Sequence, residues 1–507
     1  MTGSDRVSVR LNVVANSLGM GWTTLMGLAF IPLYVNLLGI EAYGLIAIFV
    51  VLQTWLSLLD LGLTPTVSRE MARFTGGGVD QQSIRDLLRS IESVTFIMAG
   101  IVALGIWLAS GWLSTEWFRV ETLPRGLVAS ALAIMGLVIG LRFVESIYRS
   151  SIIGLQRQVA LNVVVSITAT VRGLGAVAVL ALVSPTITAF FLWQCVVSVI
   201  SVCVLGLLVH RSLPGSTRTT KFSLEPLRHV WRFAAGALLV TFLGLMLSQS
   251  DKVILTPMLT LTVFAIYSLA YTAASAVRLL ALPIDQAVFP RFTQLFQMGD
   301  ELALAALYHK ATQYSAVLLG SAGFFLVVFG REVLALWMQN DALAAEIYAV
   351  LWILTIGMVL NGLMNTPYYL QMAAGWTDLL VRVNAVMVII FVPLIYILTQ
   401  RFAVTGAAVA WVLLNVVYVL GVVRLMHRRL LIGEMRDWYM KDVAPPLLAA
   451  AAAALILRQL LPAHAGSIAT LVFLGLSMAG ILVASGLAAG IVRRELVGQL
   501  RIVLRRT

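Results

Sequence analysis

The sequence predicts an all-α, polytopic membrane protein with about 14 transmembrane helices. Of its 507 residues, 60% are hydrophobic and 11% are charged, whereas soluble domains have roughly 45–50% apolar and about 25% charged residues. The apolar segments are about 20 residues long or longer, which is the length of helix that crosses a hydrocarbon core. Charged residues, Gly or Pro bound these segments, so each is expected to be a separate span.

The predicted spans follow one another through short connections, and none of these is long enough to fold as a domain of its own. Function is therefore expected to lie between the helices. An even number of spans places both termini on one side of the membrane. The spans begin near Leu11, Tyr43, Leu87, Leu127, Val159, Thr186, Val230, Val263, Ala306, Ile347, Asp378, Val404, Val443 and Ser467.

The distribution of positive charge predicts that both termini are cytosolic, because cytosolic connections carry an excess of Lys and Arg. With the termini inside, 27 of the 35 Lys and Arg residues fall in cytosolic segments and six in outer connections. The other two, Arg172 and Arg278, fall inside spans. Topology and attraction to anionic lipids explain the net charge of +12, so we expect no nucleic-acid partner.

Several kinds of site are not expected. Cys195 and Cys203 lie in one apolar run, which indicates neither a disulfide framework nor a metal site. No lysine follows a glycine, so there is no Walker A loop, and we expect no cofactor, no catalytic residue and no enzymatic activity. The N-terminus shows no small-residue cleavage motif, so we expect no removable signal peptide.

Arg278 interrupts an apolar run that could otherwise cross the bilayer, since 25 uncharged residues separate it from Lys252. An arginine in mid-span costs roughly 2.5–3.5 kcal/mol on insertion scales, so such residues usually face a wet cavity or an anion. Pro283 follows five residues later and is expected to kink the helix as a hinge. Alternatively, the helix begins near Met258, which would put Arg278 at the cytosolic surface.

Arg172 is the second arginine expected near mid-span. Gly173 and Gly175 are expected to open space beside it, so that it lines a cavity; the alternative is a structural arginine bonded to backbone carbonyls. Arg142 and Glu145 lie one helical turn apart, and we expect them to pair with each other.

Two aspartates are candidates for proton or sodium coupling. Asp60 lies near the end of the second predicted span and Asp285 near the end of the eighth. The alternative is that each carboxylate pairs with a nearby arginine, such as Arg69 or Arg291.

A weak internal repeat divides the first twelve spans into halves. An offset of 221 residues places Gly62 on Pro283 and Ser57 on Arg278. Parallel repeats are common in secondary transporters, whose site lies between the halves near the midplane. We expect an N-terminal lobe with spans 1–6, a C-terminal lobe with spans 7–12, and a last segment with spans 13 and 14 and a cytosolic tail. The predicted boundaries are 1–228, 229–440 and 441–507.

Three segments resemble a known family. The first, LLGIEAYGLIAIFVVLQTWLSLLDLGLTPTVSREMAR, runs from Leu37 to Arg73, and the others are SQSDK from Ser248 and AIYSLAY from Ala265. They are similar to the corresponding helices of bacterial O-antigen and polysaccharide flippases, within the multidrug/oligosaccharidyl-lipid/polysaccharide exporter superfamily. The resemblance implies two six-helix lobes around a central cavity that opens alternately to each side of the membrane.

The resemblance also implies site residues. In the related lipid II flippase, an arginine five residues before a proline in the eighth helix lines the cavity, and Arg278 and Pro283 have this spacing, although the surrounding residues differ. Because guanidinium donors match phosphate oxygens, we expect Arg172 and Arg278 to hold the diphosphate of a lipid-linked substrate.

The function implied is the translocation of a polyprenyl-diphosphate-linked oligosaccharide, an O-antigen or other surface polysaccharide unit, across the bacterial inner membrane. Expected partners are this substrate, membrane lipids, and polysaccharide polymerase and assembly proteins, and we expect a monomer. One alternative is a cation-coupled multidrug exporter of the same superfamily, which should have an acidic cavity. Another is a membrane polysaccharide polymerase or ligase, although the chain has no Asp-x-Asp pair and no long outer loop.

Overall fold

A computed structural model gives the architecture of the chain. It describes the backbone of residues 3–60, 62–214, 225–461 and 466–504, and the side chains of residues 15–60, 62–214, 241–461 and 466–498. The described residues form α-helices joined by short connections, with an isolated bridge between Arg119 and Thr260. The predicted all-α, polytopic class is confirmed.

Twenty α-helices follow one another along the described chain. The first nine are α1 (Gly3–Ala29), α2 (Ile31–Leu38), α3 (Ile40–Leu56), α4 (Leu63–Thr75), α5 (Gln81–Trp112), α6 (Arg125–Gly154), α7 (Gln158–Leu182), α8 (Ile187–Ser212) and α9 (Glu225–Met258). The others are α10 (Leu261–Leu279), α11 (Leu282–Met298), α12 (Glu301–Met338), α13 (Asp341–Leu363), α14 (Asn365–Ala373), α15 (Thr377–Val417), α16 (Val423–Met426), α17 (Met435–Asp437), α18 (Ala444–Gln459), α19 (Ser467–Ala488) and α20 (Gly490–Leu504).

The helices agree with the predicted spans. Among the described residues, 12 helical segments are long and apolar enough to cross a membrane. One of them, Thr377–Met426, has 50 residues and contains the non-helical residue Ala403 (φ 49°, ψ −134°), so it covers the eleventh and twelfth predicted spans. Helix α9 has 34 residues, occupies the position of the seventh predicted span, and is not among the 12.

The chain forms two compact units, Met1–Ala265 and Ile266–Thr507. The first contains α1 to α9 and the start of α10, and the second contains the remaining helices. The predicted N-terminal lobe ends at residue 228, so the first compact unit is longer by most of α9 and the first residues of α10. Both units consist of helices that pack their apolar sides together.

Both units contain a span that is interrupted near its end, at positions related by the predicted repeat. The offset of 221 residues carries Ile40, the first residue of α3, onto Leu261, the first residue of α10. Helix α3 gives way to a 3-10 turn at Ser57–Asp60, and α10 ends before residues 280–281. Pro283 lies in the first turn of α11, where its missing N–H needs no helical partner. The helix is therefore interrupted where Pro283 predicts it, and a hinge motion there stays a prediction.

Helix α6 packs closely on α5 through two glycines spaced four residues apart. A Cβ atom on Gly140 would lie 2.8 Å from the backbone oxygen of Ala99, and one on Gly136 would lie 2.9 Å from Cβ of Ile106. Small residues at this spacing share one helix face and let two backbones approach closely inside a membrane. The α5–α6 contact therefore depends on the absence of side chains at these positions.

We predict that Gly140→Ala destabilises the protein, because the new methyl group meets rigid backbone. Overpacking of this kind costs about 1–3 kcal/mol, and the expected result is a lower thermal unfolding midpoint in detergent. The control is Gly126→Ala on the same helix, where an added Cβ meets nothing within 4 Å. Equal midpoints for the two variants would contradict this account of the packing.

The predicted topology can be tested with introduced cysteines in a chain that lacks Cys195 and Cys203. Ser114 would be a poor outer position because it is buried, whereas its neighbour Thr115 is exposed. An impermeant thiol reagent should label Thr115→Cys in intact cells and should label the exposed Thr75→Cys only after permeabilisation. The opposite pattern would invert the predicted orientation.

Candidate functional site

Arg278 lies in the last turn of α10, and its side chain is exposed. It is 17 residues after Leu261, the first residue of the helix, which is roughly 26 Å along the helix axis. This start is close to the alternative start at Met258, so Arg278 lies nearer the end of the span than its middle. Within the described part of the chain, no hydrogen bond or ion pair shorter than 4.0 Å engages its guanidinium. The charge of Arg278 is therefore open to an external anion.

Asp285 lies in the first turn of α11 and is 2% exposed. The side-chain amide of Asn365, in α14, donates a hydrogen bond of 2.7 Å to its Oδ2 atom. Arg278 lies close enough to act electrostatically on this carboxylate. No ion pair joins Asp285 to Arg291 among the described residues, so the nearest bonded partner of this carboxylate is a neutral amide.

Asp60 ends the 3-10 turn that follows α3. Its carboxylate accepts hydrogen bonds from the backbone N–H of Thr64, at 3.1 Å, and from the hydroxyl of the same residue. It therefore binds the first turn of α4, in the manner of a helix cap. In the described structure no ion pair joins it to Arg69, the partner that the alternative interpretation required.

Asp60 also lines a cavity of about 390 Å³ within the N-terminal unit. The cavity combines apolar walls with a smaller set of polar side chains, which is the usual composition of a ligand site. Its polar lining comes from Gln53, Ser57, Asp60, Thr64, Arg142 and Ser146.

Arg172 is held by an ion pair that the sequence did not predict. Its Nη2 atom lies 2.7 Å from Oε2 of Glu145, in α6, and 3.4 Å from the hydroxyl oxygen of Ser198, in α8. The side chain of Arg172 is 19% exposed, and its buried Nε has no hydrogen-bond partner. Arg149 also approaches Glu145, with 3.7 Å between Nε and Oε1.

The predicted pair between Arg142 and Glu145 is wrong. Arg142 donates instead to side-chain oxygens of Gln53, at 2.6 Å, and Gln194, at 3.2 Å. Its guanidinium also lies 4.7 Å from the ring centre of Phe49. The physical reason is that neighbouring helices supply better placed partners for both residues than their own helix does.

The glycines beside Arg172 do not open space for a ligand. A Cβ atom on Gly173 would lie 2.1 Å from the ring of Phe30, and one on Gly175 would lie 2.1 Å from the ring of Trp193. Aromatic side chains from α8 and from the turn between α1 and α2 therefore fill the volume that the glycines leave.

A second polar cluster lies in the C-terminal unit, and the sequence did not predict it either. Asp442 is 1% exposed and accepts hydrogen bonds from His309 and from the amide of Gln313, at 2.8 Å. Glu434 lies 3.1 Å from the other ring nitrogen of His309. The side-chain oxygen of Gln313 in turn accepts from the backbone N–H of Ile491, at the start of α20. A glutamine within an apolar span was the sequence signal that could have found this cluster.

Metal binding has no support in the described part of the chain, where no group of three or more His, Cys, Asp and Glu side chains could hold an ion.

Comparison with known proteins identifies relatives. The family model described as polysaccharide biosynthesis protein matches residues 9–296. A proposed O-antigen transporter of Shigella flexneri is 19% identical over 411 residues, which cover 80% of this chain and 94% of that protein.

Two solved structures share the fold. The lipid II flippase MurJ, in an inward closed conformation, aligns with a TM-score of 0.71 at 12% identity. The alignment covers 96% of this chain and 99% of the MurJ chain. An inward-facing multidrug resistance MATE family transporter of the MOP superfamily aligns with a TM-score of 0.65 at 14% identity. The alignment covers 82% of this chain and 99% of the transporter chain. The family match covers more than half of the 507 residues. The chain therefore has the fold of these transporters and belongs to the polysaccharide biosynthesis protein family.

Proposed function

We propose that the protein translocates a polyprenyl-diphosphate-linked oligosaccharide, an O-antigen or other surface polysaccharide unit, to the outer leaflet of the bacterial inner membrane by alternating access. Family membership and the similarity to a proposed O-antigen transporter support this class of substrate. The observation that carries the proposal is Arg278, an exposed arginine at the end of an apolar helix that has no counter-ion within 4.0 Å among the described residues.

Arg278 and Arg172 are the proposed headgroup arginines. A guanidinium binds phosphate oxygens through two parallel hydrogen bonds, which gives both strength and orientation. Arg278 can do this directly. Arg172 first has to exchange the carboxylate of Glu145 for a phosphate oxygen. Pro283 is the proposed hinge, since the interruption beside it is where a helix can bend at small cost.

A cation-coupled multidrug exporter is the second candidate. The fold similarity to a MATE family transporter favours it, as does Asp285, a buried carboxylate without an ion pair among the described residues. Efflux of cationic dyes from cells that express the protein distinguishes the two candidates, because a diphosphate carrier should not protect cells from such dyes. A polymerase or ligase is a weaker candidate, and formation of polymer in a cell-free assay would reveal it.

The proposed setting follows from this function. The protein would work as a monomer, with both termini in the cytosol, beside the polymerase and assembly proteins that receive the translocated unit. Predominantly positive cytosolic segments support this orientation.

We predict that Arg278→Ala reduces translocation by about 10- to 100-fold, because hydrogen bonds to charged groups contribute roughly 1.5–3 kcal/mol. Arg278→Lys should retain part of the activity, since it keeps the charge but loses the fork of donors. The measurement is export of the polymer at equal protein level in the membrane. Arg331→Ala, which removes another exposed arginine, is the control. Normal export by Arg278→Ala would exclude a headgroup role for this residue.

The source of energy is a separate prediction. A diphosphate carries about two negative charges, and a cytosol-negative potential favours their outward movement by roughly 2.3 kcal/mol per charge per 100 mV. We expect this potential to drive export, with Asp60 and Asp285 as the candidate coupling residues if an ion is carried as well. The test uses vesicles with an imposed potassium–valinomycin potential at equal pH and sodium. Translocation that ignores the potential and follows a proton or sodium gradient would contradict the prediction.

A further inference from the structure

The ion pair between Glu145 and Arg172 lies inside the N-terminal unit and joins two helices. Glu145 is 4% exposed, so its charge is almost fully removed from solvent. Breaking a buried pair by removing one partner leaves an uncompensated charge, which is strongly unfavourable. The pair can therefore open only if both charges find new partners.

Glu145 has such a partner on its own helix. Arg149 lies one turn away, with 3.7 Å between its Nε and Oε1 of Glu145. This distance is too long for a strong hydrogen bond, but a side-chain rotation would shorten it. The carboxylate can therefore leave Arg172 without becoming an isolated buried charge.

The surroundings of Glu145 contain more positive than negative charge. Arg142, Arg149 and Arg172 lie around this one carboxylate, and the hydrogen-bond acceptors of Arg142 are two neutral amides. The buried Nε atoms of Arg142 and Arg172 have no hydrogen-bond partner. Asp60 lines the same cavity as Arg142, but its carboxylate is bonded to Thr64, and no ion pair joins it to Arg142 among the described residues. This imbalance attracts an anion with more than one charge.

We propose that Glu145 is an internal competitor for the substrate's anionic headgroup: it occupies Arg172 in the empty protein and moves to Arg149 when a diphosphate binds Arg172, with Arg142 as an additional cation nearby. The inference rests on the proposed function and deepens it. A monovalent anion gains too little to displace a buried carboxylate, whereas a diphosphate offers two charges and several acceptor oxygens. The same competition limits how tightly the headgroup is held and so favours its release on the far side.

The test is the affinity of the purified protein for inorganic pyrophosphate, measured by calorimetry in nanodiscs. Glu145→Gln removes the competing charge while keeping the shape of the side chain, so it should bind pyrophosphate at least about tenfold more tightly than the natural protein. Arg142→Gln and Arg172→Gln should bind it at least about tenfold more weakly. The matched control is Glu332→Gln, because Glu332 forms a 2.7 Å pair with Arg458 in the other compact unit.

A purely structural role for Glu145 makes the opposite prediction, since loss of the pair would then loosen the site and weaken binding. Unchanged or weaker binding by folded Glu145→Gln would overturn the proposal. If that variant does not fold, Glu145→Asp keeps the charge but shortens its reach to Arg172, and it should bind pyrophosphate more tightly than the natural protein. Unchanged or weaker binding by Glu145→Asp would likewise overturn the proposal.

Two further measurements are needed. One distinguishes a lipid headgroup from a free anion, and the other tests the proposed function separately from the role of Glu145. Farnesyl diphosphate added to the nanodiscs should displace pyrophosphate; failure to do so would show a site for free anions and overturn the headgroup assignment. Translocation by the natural protein tests the proposed function independently. In one outcome, the natural protein translocates lipid-linked oligosaccharide while Glu145→Gln and the natural protein bind pyrophosphate with equal affinity. In that case the competitor role is wrong and the proposed function stands.

Discussion

The hydrocarbon interior of a membrane offers no hydrogen-bond partners, and the rest of this structure depends on that constraint. Backbone groups must be satisfied within each span, so the described chain is built from helices, and irregular backbone is tolerated only where protein or water covers it. The interruptions after α3 and α10 show how this works. Asp60 binds the next turn at the first, and Asp285 with Asn365 lies just beyond the second. Hydrogen-bonded polar side chains thus accompany each break.

Because of the same constraint, the partners that compensate a charged side chain in a span are informative. Arg172 is paired with Glu145, whereas Arg142 donates to two amide oxygens and lies over an aromatic face. Arg278, at the end of its helix, is left exposed. These three arginines therefore differ in how far their charge is compensated.

The sequence was sufficient for features that depend on local pattern. Span positions follow from hydropathy, and the interruption beside Pro283 follows from the chemistry of proline. Pairings between helices could not be predicted in this way. Glu145 and Arg172 are 27 residues apart, and Gln53 and Arg142 are 89 residues apart. Their contacts are fixed by how helices rotate and pack.

The joint at Ala403 has a mechanical consequence. A single non-helical residue separates the helical segments before and after it, and a Cβ atom on Gly406 would lie only 2.1 Å from the backbone oxygen of Leu398, so the two segments are pressed together at the joint. A side chain at residue 406 would have no room beside this backbone. The angle between the two segments therefore depends on a glycine at that position.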